Sequence, residues 1–128
     1  METYVHSFVH IEDRKIFSLA EAQRILPIIQ KITEKAQKET QVLVQQLELI
    51  QQVDAQRSKV LEIRIDEIMN QWRGQISRLG GIPQGVWVVD FDHGNGLYCW
   101  KYPEMNIYCE HGYQDGFTGR RYLKTPTA

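Results

Sequence analysis

The sequence predicts an α+β fold, in which a long antiparallel helical hairpin precedes a small three-stranded antiparallel sheet packed on it. All nine glycines lie between Gly74 and Gly119. Residues 18–79 are rich in Leu, Ile, Gln, Glu and Lys, which favour helix. Nine aromatic residues follow between Gly80 and Leu123 in short runs that glycines separate, a pattern typical of strands and turns.

The first helix is predicted to begin at Ser18, which can cap it, and Glu21 completes a capping box three residues later. From Ala22 to Ile50, apolar or small residues recur in alternating steps of three and four, which is the stripe of an amphipathic helix. Pro27 lies inside this pattern. We expect a kink or a restart of the helix there, because proline lacks a backbone N–H group.

A second apolar stripe runs from Leu61 to Leu79, and the helices are predicted to end at the Gly80-Gly81 pair. The polar stretch 54–58 separates the two stripes, and we place a turn there. One continuous rod is the alternative, but it would be roughly 90 Å long at the rise of an α-helix. Even with the turn, the first helix is longer than a domain of this size is wide. A kink at Pro27 would reduce the part that extends beyond the domain, or a second copy of the protein would cover it.

The C-terminal half is predicted to form three strands, at residues 86–91, 96–101 and 107–111. Asp, Asn, Gly and Pro residues form the turns between them. A second hairpin centred on Pro103 places Cys99 opposite Cys109 and Leu97 opposite His111. Side chains alternate between the two faces of a strand, but this alternation leaves open which face of the sheet packs on the helices.

Length and charge restrict the class of protein. We expect one domain over residues 1–128, with the hairpin at 18–79 and the sheet and a C-terminal loop at 82–123. Lys and Arg total 15 and Asp and Glu total 16, so we expect no nucleic-acid partner. No run approaches the roughly 20 apolar residues of a membrane span, and two cysteines are too few for a disulfide scaffold. We therefore expect a cytoplasmic protein without a membrane partner.

Several segments resemble one known protein family. They are residues 17–22, 26–27, 89–91, 97–100, 103–104, His111 and 116–120. Together they are similar to an uncharacterised bacterial family, domain of unknown function family 2203, and the resemblance covers residues 17–123. It implies a small cytoplasmic bacterial protein with a helical hairpin and a small sheet. It implies no particular activity.

Polar residues cluster near one end of the predicted sheet, and three of them are candidate catalytic residues: His111, Glu110 and Asp115. Imidazole titrates near neutral pH and a neighbouring carboxylate can orient it, so His111 is a candidate general base or metal ligand. Its alternative role is structural, as a hydrogen-bonding partner of the turn that follows.

The segment 112–121 is the best candidate for a ligand-binding loop. Its glycines allow close backbone approach, and Arg120 and Arg121 can bind a phosphate or a carboxylate. Trp100 and Glu104 complete this candidate ligand-binding set. The alternative is that Arg120 pairs with an internal acid and fixes the tail to the sheet.

Cys99, Cys109 and His111, with His93 as a further candidate, are residue types that bind zinc. Their spacing contains no Cys-x-x-Cys pair, and two neighbouring cysteines are more often small buried side chains. We therefore predict no metal site and no cofactor.

The leading functional hypothesis is a non-enzymatic interaction protein that forms a homodimer through its helices. The helical stripe is longer than three short strands can cover, which favours self-association. The alternative is a binder of a small anionic molecule, or an enzyme, whose site lies around His111 and Arg120.

Overall fold

The computed structural model describes residues 15–124, which form two helices followed by an antiparallel sheet. Helix α1 spans Leu19–Ile50 and helix α2 spans Ala55–Arg78. The strands are β1 (Ile82–Pro83), β2 (Val88–Asp92), β3 (Leu97–Lys101), β4 (Cys109–His111) and β5 (Arg121–Tyr122). The predicted α+β fold is confirmed. Residues 1–14 and 125–128 lie outside the described residues, so one domain over 1–128 stays a prediction.

The start of α1 follows the capping box that the sequence predicts. The Glu21 N–H donates to Ser18 Oγ at 3.1 Å, and the Ser18 N–H donates to Glu21 Oε1 at 2.9 Å. The helix then continues through Pro27 as one element, so the restart expected there does not occur. Leu26 and Ile29 on either side of the proline are buried in the core, and their packing offsets the lost backbone hydrogen bond.

A tight turn at residues 51–53 joins the two helices, so the hairpin is confirmed over the continuous rod. The turn lies earlier than predicted, because residues 55–58 form the first turn of α2. Asp54 caps α2, because its Oδ1 accepts the N–H of Arg57 at 3.0 Å. Helix α2 ends at Arg78, just before Gly80, whose φ of +91° favours glycine. A Cβ on Gly80 would also lie 3.1 Å from the ring of Phe17. This glycine therefore permits both the helix end and the close approach of the chain that enters α1.

The sheet has five strands rather than the predicted three, and they follow one another in sequence order. The predicted strands are the central three, and Cys99 pairs with Cys109 and Leu97 with His111, as predicted. The additional edge strands β1 and β5 have two residues each, too few to show alternation. Strand β4 begins later than predicted because the Ile107 backbone N–H donates to a Gln23 side chain on α1 instead, at 3.4 Å.

One face of the sheet packs on the hairpin and forms the apolar core. Its members from the sheet are Val89, Phe91 and Trp100, which contact Trp72 and its neighbours on the helices. The indole N–H of Trp72 donates to Thr33 Oγ1 at 2.9 Å, which satisfies the one polar atom of that buried side chain. The alternation of side chains left open which face of the sheet packs on the helices, and the structure shows that it is this face.

The core covers only part of the hairpin. The last buried residue of α1 is Ala36, and the first buried apolar residue of α2 is Ile68. We call residues 37–67 the distal half of the hairpin. Among residues 15–124, no helix is long and apolar enough to cross a membrane.

Candidate functional site

The face of the sheet that points away from the helices is also buried, and it is polar. Asp90 on β2, Cys99 on β3 and His111 on β4 all lie on this face, with exposed fractions of 1%, 0% and 2%. The C-terminal segment covers them, with Tyr113 and Phe117 lying beside the polar group. Side-chain alternation in the three central strands thus produces one apolar face and one polar face, each with buried side chains at its centre.

The Asp90 carboxylate and the His111 imidazole face each other. His111 Nε2 lies 3.2 Å from Asp90 Oδ2, and His111 Nδ1 lies 2.9 Å from the carbonyl oxygen of Gly112. A carbonyl can only accept a hydrogen bond, so Nδ1 carries a proton. Gln84 Nε2 donates to Asp90 Oδ2 at 3.0 Å. This network fixes the imidazole ring in one orientation with Nε2 directed at the carboxylate.

The two oxygens of Asp90 differ in their contacts. Oδ1 is buried, and no donor within residues 15–124 reaches it. An unpaired acceptor on a buried carboxylate costs free energy, because the water it lost is not replaced. This oxygen therefore marks a position where a positive group would be stabilised.

The Cys99 thiol lies beside the same carboxylate. Burial, followed by the negative charge of Asp90, raises the pKa of the Cys99 thiol above its ordinary value. The thiol is therefore protonated at neutral pH in this structure, which argues against Cys99 as a free nucleophile. Sγ of Cys99, one carboxylate oxygen of Asp90 and a ring nitrogen of His111 all lie within 4.8 Å of one another.

A cavity of about 410 Å³ opens next to this group. It lies between the sheet and the C-terminal segment, and this volume is in the range of small-ligand pockets. Its lining includes the following side chains and glycines: Gln84, Gly85, Val88, Asp90, Leu97, His111, Tyr113, Gln114, Gly116 and Phe117. Asp90 and His111 are the buried ionisable residues of that lining.

The predicted catalytic residues do not converge on one point. Glu110 lies on the opposite face of β4 from His111, with its Oε1 at 3.0 Å from His93 Nε2 but outside hydrogen-bonding geometry. Asp115 is exposed, and its Oδ2 accepts the N–H of Gly112 at 3.0 Å, which stabilises the turn after β4. The carboxylate that faces His111 is Asp90, a member of the predicted polar cluster that was considered as a partner of Arg120 and not of His111.

The predicted ligand-binding residues separate in a similar way. Arg120 donates to Glu104 Oε2 at 2.6 Å and stacks over the ring of Phe117, with its Cζ 4.7 Å from the centroid. Trp100 is buried on the helix-facing side, where its N–H donates to the Glu104 carbonyl oxygen at 2.8 Å. Arg121 is exposed on the edge strand β5. The contacts of Arg120 therefore match the structural alternative, in which this residue fixes the tail to the sheet.

The candidate zinc ligands are only partly together. Cys109 is buried directly opposite Cys99, but the close group consists of Cys99 and His111 with Asp90. His93 stacks on Tyr98, at 4.5 Å between ring centroids, on the other face of the sheet. The signal that could have identified Asp90 is its register, because β2 pairs it with Cys99 across the strand.

One protein-family model matches the chain, over residues 15–123, and its description reads "Uncharacterized conserved protein (DUF2203)". No curated protein and no solved structure shows significant similarity to the chain.

Proposed function

The chain belongs to the DUF2203 family, and we propose that it is a non-enzymatic interaction protein that forms a homodimer through the distal half of its hairpin. The observation that carries this proposal is the difference in length between the hairpin and its core. Helix α1 has 32 residues, but its buried residues end at Ala36. At ~1.5 Å per residue, roughly 20 Å of α1 continues beyond that point.

The distal half exposes apolar side chains in rows. On α1, Val42 is 53% exposed and Leu49 is 79% exposed, and a spacing of seven residues places them on the same side of the helix. On α2, Val60 and Ile63 are 64% and 52% exposed and lie one turn apart. The apolar residues between these exposed positions are not fully covered either. Leu43 and Leu61, for example, are only half-buried.

The tip of the hairpin carries little charge. Of the fourteen residues 40–53, seven are Val, Leu or Ile, and Glu48 is the single charged side chain. A helix surface that remains in water normally carries many more charges than this. This composition supports the proposal that another protein surface covers the tip.

A second copy of the chain is the occupant that fits these rows. Two identical hairpins related by a two-fold axis bring the same rows of each copy together, which is the usual symmetry of homodimers. The product is a four-helix bundle in which all the half-buried stripes become interior. A reducing cytoplasm is the compartment we propose, since both cysteines are free thiols, and the family resemblance favours a bacterial source.

The anionic-ligand alternative has less support. Arg120, its main residue, already pairs with Glu104, so its charge is balanced within the chain. Binding a phosphate or carboxylate there would require breaking a contact of 2.6 Å. The homodimer needs no such rearrangement.

Sedimentation equilibrium over a range of protein concentrations tests the proposal. We expect the wild-type protein to reach twice the chain mass of 15.0 kDa. Leu49→Glu and Val42→Glu should each raise the dissociation constant at least ~10-fold, since a buried charge costs more than about 1.4 kcal/mol. Both side chains are exposed within one chain, so helicity by circular dichroism should not change.

Gln41→Glu is the matched control. It adds the same charge to an exposed position that lies about 100° around α1 from Val42, and we expect it to leave the dimer intact. A wild-type protein that stays monomeric at high concentration would overturn the proposal. So would a Leu49→Glu variant that dimerises as tightly as the wild type.

A further inference from the structure

The polar face of the sheet brings together three different metal-binding side chains. Asp90, Cys99 and His111 come from three neighbouring strands, and their ligand atoms lie within 4.8 Å of one another. Oxygen, sulfur and imidazole nitrogen are all ligands of Zn²⁺. Ca²⁺ and Mg²⁺ prefer oxygen alone. The mixture of donors therefore selects a borderline-soft transition metal.

The separation of the ligand atoms suits a tetrahedral ion. Two ligands at about 2.0–2.1 Å from a tetrahedral Zn²⁺ are roughly 3.3 Å apart. His111 Nε2 and Asp90 Oδ2 lie 3.2 Å apart. The two atoms could therefore keep their separation, while the His111 ring turns so that the Nε2 lone pair points at the ion and not at Oδ2.

The supporting contacts are those that a metal site requires. The Gly112 carbonyl holds the proton on His111 Nδ1 and leaves Nε2 as the ligand atom. Gln84 holds one oxygen of Asp90, and the other oxygen has no partner among the described residues. Hydrogen bonds of this kind orient a ligand before the ion binds.

We propose that Asp90, Cys99 and His111 form a Zn²⁺ site whose fourth ligand is a water or a small molecule in the neighbouring cavity. The cavity of about 410 Å³ is lined by Asp90 and His111, so it provides the room for that ligand. Binding releases the proton of the Cys99 thiol to solvent, because the metal ligand is the thiolate. The ion neutralises the negative charges of the Asp90 carboxylate and the Cys99 thiolate.

The site excludes the second cysteine. Cys109 is buried opposite Cys99 on the same face, but it does not belong to the close group. The nearby cation Arg120 is paired with Glu104, so its charge is balanced before the metal binds. Cys109 therefore provides a matched control, a second buried thiol on the same face of the sheet.

Co²⁺ titration of the chelator-treated full chain tests the proposal, because a cobalt–thiolate bond gives a charge-transfer band in the near ultraviolet. We expect one Co²⁺ per chain, displaced by Zn²⁺. The band should be lost in Cys99→Ser and retained in Cys109→Ser. Gln84→Ala removes a residue that supports a ligand, so it should weaken Zn²⁺ binding roughly 10- to 100-fold. Removal of a direct ligand should weaken Zn²⁺ binding by more than this.

The wild-type protein alone can overturn the proposal, even if Cys99→Ser fails to fold. Absence of the cobalt–thiolate band, together with no increase in Tm on adding Zn²⁺, would show that a proton rather than a metal bridges Asp90 and His111. A band that persists without Cys99 but disappears with Cys109→Ser would overturn the ligand assignment. Both outcomes are independent of whether the chain dimerises.

Discussion

The two faces of the sheet are buried by different kinds of contact. The face towards the hairpin is packed by Val89, Phe91 and Trp100, and its stability depends on apolar area and on filling space. The opposite face holds Asp90 and His111, whose burial depends on a few directional contacts. The comparison shows that two equally buried faces depend on different features, because one depends on the volume that its side chains fill and the other on the presence of each hydrogen-bonding partner.

The largest expected effect is on the apolar face. Trp72→Ala should lower the free energy of unfolding by about 3–5 kcal/mol, because it leaves a cavity in the core. Urea denaturation measures this, and Trp72→Phe is the control that keeps part of the volume. The comparison of the two faces would be wrong if Trp72→Ala lowered the free energy of unfolding by less than an isosteric substitution on the polar face, such as Asp90→Asn.

The second prediction concerns the polar face of the metal-free protein. Asp90→Asn keeps the volume of the side chain but removes its charge, so we expect a loss of about 2–3 kcal/mol. A double-mutant cycle with His111→Gln should show that the two residues are coupled. Additive effects of the two substitutions, measured by urea denaturation with a chelator present, would contradict the pairing.

The smallest effect is expected at an exposed site that belongs to neither face. The backbone N–H and hydroxyl of Ser18, and then the charge of Lys15, lower the pKa of Glu21. Because the pKa of Glu21 is lowered, its ionised carboxylate stabilises the folded protein at pH values above the ordinary pKa of 4.5. This stabilisation is lost as the pH falls through the pKa that Glu21 has in the folded protein. Glu21→Gln should therefore destabilise the protein slightly at pH 7 and have no effect near pH 2. An equal effect of the substitution at both pH values would contradict this assignment.

Local signals predicted much of the fold. The capping box at Ser18 and the pairing of Cys99 with Cys109 both depend on residues close together in the chain. The polar stretch 54–58 indicated a break between the helices, but Asp54 caps α2 and the turn itself lies at 51–53. The edge strands were missed because two residues carry no periodicity. Asp90 was not predicted as the partner of His111, because the sequence does not indicate which face of the sheet the C-terminal segment covers. Asp90 and His111 lie on strands separated by β3, so only the assembled sheet brings them together.

The order of the strands has a consequence for how the chain folds. Each strand pairs with the next one in sequence, and the two helices are also consecutive. Contacts between near neighbours in the chain form quickly, so we expect hairpin and sheet to form early and separately. The bond from the Phe17 N–H to the Asp92 carbonyl, at 2.7 Å, joins segments 75 residues apart. We therefore expect docking of the sheet on the hairpin to set the folding rate, so that Trp72→Ala slows folding more than a substitution at the tip of the hairpin.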